Sequence, residues 1–561
     1  MKKFILAITI CTSFIGVSQN LENKIPGNAK AVISINGERL LELISMEEFD
    51  NYSFVQELIK EAGRSNDDSV IASIKDFGFN INSKAYYFYQ ANDSIYYHNL
   101  LIKLSDKNKF ENLLPASSKE KIVQKGSTKV MNQGKSVIIW NDNILLLSSG
   151  EKSRNYVYDN EVYNGSKEDY AVRNSENTWT EMHAMDIFNG NRTQSIATNK
   201  NYLASKGKEA VASAWISYSE LVNAAISKAN LMRMMNFTLL SKSGMYGIEN
   251  LSGNLYFDNE VARMTTKIEI SPAWQKMFKK IYNSKIDKNF FNYFDQNDVL
   301  AYASFTVDMQ SLLEEYPAMA GSIYGGMAPE TKQETAVAVE FLSLLIDEQA
   351  ISELITGDML FILNDISEKE VEYTSYEYDS DYNRKDTIKT KKEVLPEFTI
   401  MIGSKKEKLL NKLARLGVKH KVFEYQNANY YKLETNYTKP FNLFTGVKDD
   451  IVFITTTEER MKSIISNTAN SNLGKHRKLI ANNVSTFFIN GKLLMSKLPE
   501  DEMNRKEKGY LNFAKENFSD AYFNTSKLKG NKILSELTIN SPEKQGNSLK
   551  FILNFMEVLA N

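Results

Sequence analysis

Ala31-Val32-Ile33-Ser34-Ile35-Asn36-Gly37, running on into Leu40-Leu41-Glu42-Leu43-Ile44, is the stretch whose reading decides the fold. Branched apolar residues alternating with small ones suit a buried or half-buried pleated strand. Asn36 can accept from the free N–H groups of a helix's first turn. An Asn-Gly pair also fits a tight hairpin, but the residues that follow have helical rather than alternating periodicity, so the cap is the preferred reading. The phrase of strand, polar cap and Leu-led helix returns three times. It recurs at Val211-Ala212-Ser213-Ala214-Trp215-Ile216, at Leu300-Ala301-Tyr302-Ala303-Ser304-Phe305 and at Val484-Ser485-Thr486-Phe487-Phe488-Ile489. Ser217, Asp308 and Asn490 stand at the cap positions, and Ser217 with Glu220 has capping-box spacing. Leu41 with Ile44, Leu221 with Ala225, Leu313 with Tyr316, and Leu494 with Leu498 then share helix faces.

The segments between the phrases also recur in order. A Tyr-rich strand at Ala85-Tyr86-Tyr87-Phe88-Tyr89 turns at Asn92-Asp93-Ser94 and returns through Leu100-Leu101-Ile102 into a helix capped by Asp106. A hairpin around Trp140 follows. After the third phrase, Asp358-Met359-Leu360-Phe361-Ile362-Leu363, Phe398-Thr399-Ile400-Met401-Ile402, a helix around Leu409-Leu410 and a hairpin turning at Asp449-Asp450 repeat that series. The second and fourth phrases share a hairpin and a helix, the helices beginning near Trp274 and Leu549. The order A-B-A′-B′ predicts an internally duplicated α+β chain, each half an antiparallel β-sheet with helices packed against it. The first half is expected over 19–290 and the second over 291–561, each the size of a large domain. Residues 155–206 read as a polar connection with a short helix near Met182.

The chain has 561 residues, and Lys+Arg 68 against Asp+Glu 69 gives no net field to steer nucleic acid or an anionic membrane. Hydrophobic content of 42% and nine prolines fit a folded chain without long Pro-rich linkers. At the start, Lys2-Lys3, the apolar run from Phe4 to Ile10, and Gly16 and Ser18 have the layout of a signal peptide over 1–18. Cleavage after Ser18 leaves 66 cationic side chains against 69 anionic, and removes the single cysteine. The mature chain is thus expected without disulfide or thiol chemistry, in the periplasm or at the cell surface. Cys11 is poorly placed for lipidation, because Ile10 stands where a small residue is expected. No later stretch reaches the roughly 20 apolar residues of a spanning helix.

Chemistry-bearing motifs are few. His98, His183, His420 and His476 lie far apart, with no metal-ligand spacing. There is no phosphate loop or nucleophile elbow. Gly321-Ser322-Ile323-Tyr324-Gly325-Gly326 reads as a flexible connection. Asp379-Ser380-Asp381 imitates the start of a calcium loop, but Arg384 replaces its glycine and Thr390 its closing glutamate. No catalytic residue, metal site or cofactor is assigned. The candidate binding residues are Tyr373, Tyr376, Tyr378 and Tyr382, in a charged insertion over 368–393 that replaces a tight turn of the first half and is expected to protrude as a hairpin.

The opening Ile25-Pro26-Gly27-Asn28-Ala29, the first phrase, and its recurrence near Asn297-Asp298-Val299 and Asn482-Asn483-Val484 resemble an exported Bacteroidota family known only as a domain of unknown function. That resemblance implies a duplicated envelope protein and carries no catalytic residues. The leading expectation is a non-catalytic protein that binds a protein, glycan or lipid ligand on its sheets or insertion. The alternatives are a hydrolase assembled from scattered Asp, Glu, Ser and His, and a carrier of an apolar ligand. A deep pocket of converging polar groups would favour the enzyme, an open concave or aromatic surface the binding protein, and a sizeable apolar cavity between sheet and helices the carrier.

Overall fold

The computed structural model describes residues 20–560 apart from 65–70, 93, 153–167, 191–193, 220–246, 328–331, 379–381, 427–428, 435–439 and 501–502. The signal segment with Cys11, the Leu221–Ala225 pair and most of the calcium-like tip lie outside the described residues. The chain is mixed α+β, and the ladders within each unit are antiparallel. It forms two compact units: Met1–Ala273 with Ala320–Ala336 and Ser541–Asn561, and Trp274–Met319 with Val337–Asn540.

In the first unit the central strand is the opening phrase, β1 (Ala31–Asn36). It pairs on one side with β2 (Lys84–Ala91) and on the other with β8 (Ala212–Ser217), the second phrase. Outward from β2 come β3 (Ile95–Lys103), β7 (Ile144–Lys152), β6 (Ser136–Trp140), β5 (Thr128–Gln133) and β4 (Ile122–Lys125). Outward from β8 come β9 (Ile248–Phe257) and β10 (Val261–Ile270). Val32, Tyr86, Phe88, Leu101, Leu146 and Trp215 point from one sheet face into a core closed by Ala184, Ile187 and Phe188 of the helix Glu168–Asn189. That helix is far longer than the short one expected near Met182. Its polar, weakly periodic sequence hides its length, and packing against β6 and β7 fixes its C-terminal half.

The second unit is built around the third phrase, β11 (Ala301–Thr306). It lies between β12 (Asp358–Tyr378) and β18 (Asn483–Asn490), the fourth phrase. Outward from β12 come β13 (Arg384–Gly403), β17 (Ile451–Thr455), β16 (Phe444–Lys448), β15 (Tyr430–Leu433) and β14 (Phe423–Gln426). Outward from β18 come β19 (Asp520–Ser526) and β20 (Lys532–Asn540). The strand order, 14-15-16-17-13-12-11-18-19-20, is that of the first unit with ten added to every number. Tyr302, Leu360, Ile362, Met401, Phe453 and Phe488 fill its core with Phe290, Phe294, Met461 and Ile464.

Caps and turns follow the sequence closely. Asn490 accepts from Leu493 N at 3.0 Å and Asp308 from Ser311 N at 2.7 Å, whereas Asn36 makes no side-chain cap bond. Asp449 and Asp450 take φ of 50° and 61°, the left-handed pair of a tight hairpin turn. One more reading is corrected. The glycine cluster from Gly321 lies within the helix Met309–Met327 rather than in a connection. Alanine and methionine before it favour helix strongly enough to carry the chain over glycines that cost about 1 kcal/mol each. Near Ile74 the described chain forms a 3-10 turn, Ile74–Phe77, stopped by Gly78 at φ 73°.

Candidate functional site

The apolar stretches Asp358-Met359-Leu360-Phe361-Ile362-Leu363 and Phe398-Thr399-Ile400-Met401-Ile402 do not alternate with polar residues. An antiparallel strand with one face in water alternates, so unbroken runs call for cover on both faces. In the second unit only one face receives it fully. Leu360, Ile362, Met401 and Tyr302 are at most 1% exposed on the core side. On the opposite side the register lines up Ile454, Ile400, Phe361, Ala303, Phe487, Phe523 and Leu537 across seven strands. At the usual strand spacing that row is roughly 29 Å wide.

The neighbouring rows add Val452, Ile402, Met359 and Phe305 on one side, and Phe398, Leu363, Ile489 and Ile539 on the other. Phe361 and Phe398 lie with ring centroids 5.7 Å apart. The helix Gly491–Lys497 packs on β12, β18 and β19, yet Phe487 stays 54% exposed, Met359 40%, Phe305 39% and Phe523 37%. In the first unit the corresponding face buries Leu100, Ile102, Ala85 and Leu145, although Ile33 and Met264 stay 38% and 39% exposed on it.

The insertion continues this face outward. Strands β12 and β13 stay paired from Glu368 opposite Val394 to Tyr378 opposite Arg384, a two-stranded ribbon roughly 35 Å long. One extra residue on β12, at Asn364, marks where it leaves the sheet. There Asp365 meets Lys497 at 2.9 Å. Burial pushes the Asp365 carboxyl up, but the Lys497 hydrogen bond and a backbone N–H outweigh it and hold the carboxyl below its ordinary value.

Strand parity divides the candidate tyrosines. Tyr376 and Tyr378 share the ribbon face that carries Ile388 and Val394, their rings 6.2 Å apart and edge to face. The Arg384 guanidinium lies 4.7 Å from the Tyr376 ring centroid. Tyr373 points to the other face, with Lys391 5.5 Å from its ring, and Tyr382 stands beyond the last pair with φ 61°. The structure therefore groups two of the four. Sequence reading passed over Phe305, Met359, Phe361, Phe487 and Phe523, although the unbroken apolar runs were their signal.

The polar clusters elsewhere tie segments together. Glu22 is buried and accepts from Tyr86 (3.0 Å), Tyr202 (3.1 Å) and Lys206 (2.9 Å). Asp358 accepts from the Thr306 hydroxyl at 2.6 Å and from Asp287 N at 3.1 Å, while burial raises its pKa. Tyr87 OH lies 2.7 Å from His98 Nδ1, and Tyr302 OH lies 3.2 Å from His476 Nδ1. Among the described residues no group of three or more His, Cys, Asp and Glu side chains is placed to hold a metal ion.

Fold and site together define an α+β protein with a half-open apolar sheet face extended by a tyrosine-bearing ribbon. No protein-family model matches the chain, and no curated protein matches it. Among solved structures it is similar to crystal forms I and III of TP0453, at a TM-score of 0.24. Identity is 11% and 10%, over 49% of this chain and 83% and 85% of theirs. Crystal form IV gives the same score over 47% of this chain and 86% of its own.

Proposed function

We propose that this is an exported, non-catalytic binding protein whose second unit holds an apolar ligand on the half-open face of its sheet. The observation that carries the reading is the row from Ile454 to Leu537, apolar across seven strands, with Phe487, Met359 and Phe305 still open to water. Monomeric proteins seldom leave so wide an apolar surface without use. Its side chains offer no hydrogen bonds, so the matching ligand is one rich in hydrocarbon or aromatic surface. Each fully buried Phe or Leu side chain contributes about 1.5–3 kcal/mol on leaving water. Duplication belongs to the same proposal: it is supported by the common strand order of β1–β10 and β11–β20, and under it the ligand face is the half that diverged toward openness.

The test is mass spectrometry of protein purified from its native compartment, with and without Phe487→Glu and Phe361→Glu. A co-purifying apolar molecule is expected with the parent chain and should be lost with either substitution, while the polypeptide mass should start at Gln19. A parent chain free of apolar ligand, together with an apolar fluorescent probe bound equally by parent and variants, would remove the reading.

A further inference from the structure

The helix Glu407–Lys419 contains no buried residue. It lies on β14 and β16, and Gly417 sits so close to the Phe423 ring that an added Cβ would come within 2.3 Å of it. That contact uses one flank of the helix. A second flank carries Leu409, Leu413 and Leu416, 45–49% exposed, at i, i+4 and i+7. A third carries Lys408, Lys412, Arg415 and Lys419 at i, i+4, i+7 and i+11, all exposed, and none ion-paired among the described residues. An apolar stripe that faced only the sheet would be about 100° wide. Here it runs on past the sheet and ends against a row of cations.

Charge identifies what covers it. Residues 405–421 hold seven cations, Lys405, Lys406, Lys408, Lys412, Arg415, Lys419 and Lys421, against one anion, Glu407, in a chain whose formal net charge is −1; of the seven, Lys406 is paired with Glu353. The complement is therefore anionic as well as apolar. Protein interfaces favour aromatic residues and Arg and are poor in Lys, whereas the exposed rows here are leucines and mostly lysines. A leucine row flanked by lysines is the composition of a helix lying in a lipid interface, its leucines among acyl chains and its cations at headgroup level. We infer that the helix Glu407–Lys419 docks the second unit on an anionic lipid surface.

The experiment is co-sedimentation of the full chain with vesicles of phosphatidylcholine alone or containing phosphatidylglycerol. Binding is expected only to the anionic vesicles and should weaken with added salt. Lys408→Gln, Lys412→Gln and Arg415→Gln together should lower affinity on the order of a hundredfold. Leu409→Gln, Leu413→Gln and Leu416→Gln together should also abolish sedimentation. Because all six side chains are half or fully exposed, an unchanged circular dichroism spectrum is expected for both variants. A third variant, Lys506→Gln with Lys508→Gln on the helix Arg505–Asn517, controls for general loss of charge and should bind as the parent does. Equal binding to neutral vesicles, an unaffected cation variant, or loss with the cation but not the leucine variant would overturn the inference. The last outcome would mark a purely electrostatic surface such as an acidic protein offers.

Discussion

His476 shows how little a residue type says about its role. By sequence it is one of four scattered histidines. In the structure it is 3% exposed, packed edge-on against Phe488 with ring centroids 4.5 Å apart and set beside Tyr302. Burial, reinforced by the neighbouring Lys475 charge and only partly opposed by Asp520, lowers its pKa to about 4. The unfolded chain takes up this proton near pH 6.5 and the folded chain near 4, so between those values the unfolded state binds more protons. Stability should therefore fall as pH is lowered from about 6.5 to about 4, and this contribution should level off below that. His476→Gln should flatten the slope in a series of thermal melts across that window. An unchanged slope would place the titration elsewhere. Glu22 teaches the same lesson. Burial pushes its carboxyl up, yet Lys206, Tyr86 and Tyr202 outweigh that and hold it below its ordinary value, through partners as far as 184 residues away in sequence. No local pattern announces such a cluster.

Elements were more legible where their periodicity was strong. The strands of the four phrases, their hairpins, and the helices Pro272–Ile281 and Ser548–Ala560 lie where apolar spacing places them. The short outer hairpins β4–β5 and β14–β15 escaped notice, because Ile122-Val123-Gln124-Lys125 and Phe423-Glu424-Tyr425-Gln426 offer only four residues each and half of them are polar. The candidate site divides along the same line. The ribbon was visible as a charged, tyrosine-bearing interruption, whereas the open sheet face depends on cross-strand register that a single sequence does not carry.

Beside its ring contacts the ribbon is held by ion pairs open to solvent, such as Lys369 with Glu397 at 2.9 Å and Arg384 with Asp386 at 2.8 Å, which add little to stability. Replacing 368–393 by the turn Asn92-Asp93-Ser94 should accordingly leave Tm within about 4 °C. It should also weaken binding of whatever apolar ligand co-purifies, since Ile388, Tyr376 and Tyr378 extend the same face. Global unfolding of this variant would mean that the tyrosines serve the core.

At the scale of the molecule, the compact units do not follow one cut through the sequence. Residues 541–561 come last in the chain but belong to the first unit. There Phe551 is fully buried, with Leu549 and Leu553 5% and 7% exposed. Ser548 Oγ donates to Asp258 O at 2.8 Å, Asn547 donates to Leu43 O at 2.6 Å, and Tyr52 OH donates to Asn554 Oδ1 at 3.0 Å. The three apolar side chains alone bring about 5–9 kcal/mol as an upper bound, comparable to the whole stability of many domains. A chain ending at Asn540 should therefore lose much of the first unit's stability while its final strand, β20, remains intact in the second. Hydrogen exchange followed by mass spectrometry reads the two units separately. Peptides over 53–64 and 261–270 should exchange faster in the truncated chain, and peptides over 301–306 and 484–490 should keep their protection. Uniformly faster exchange in both sets would show that the units unfold together, and unchanged exchange near Asp258 would show that the closing helix is dispensable.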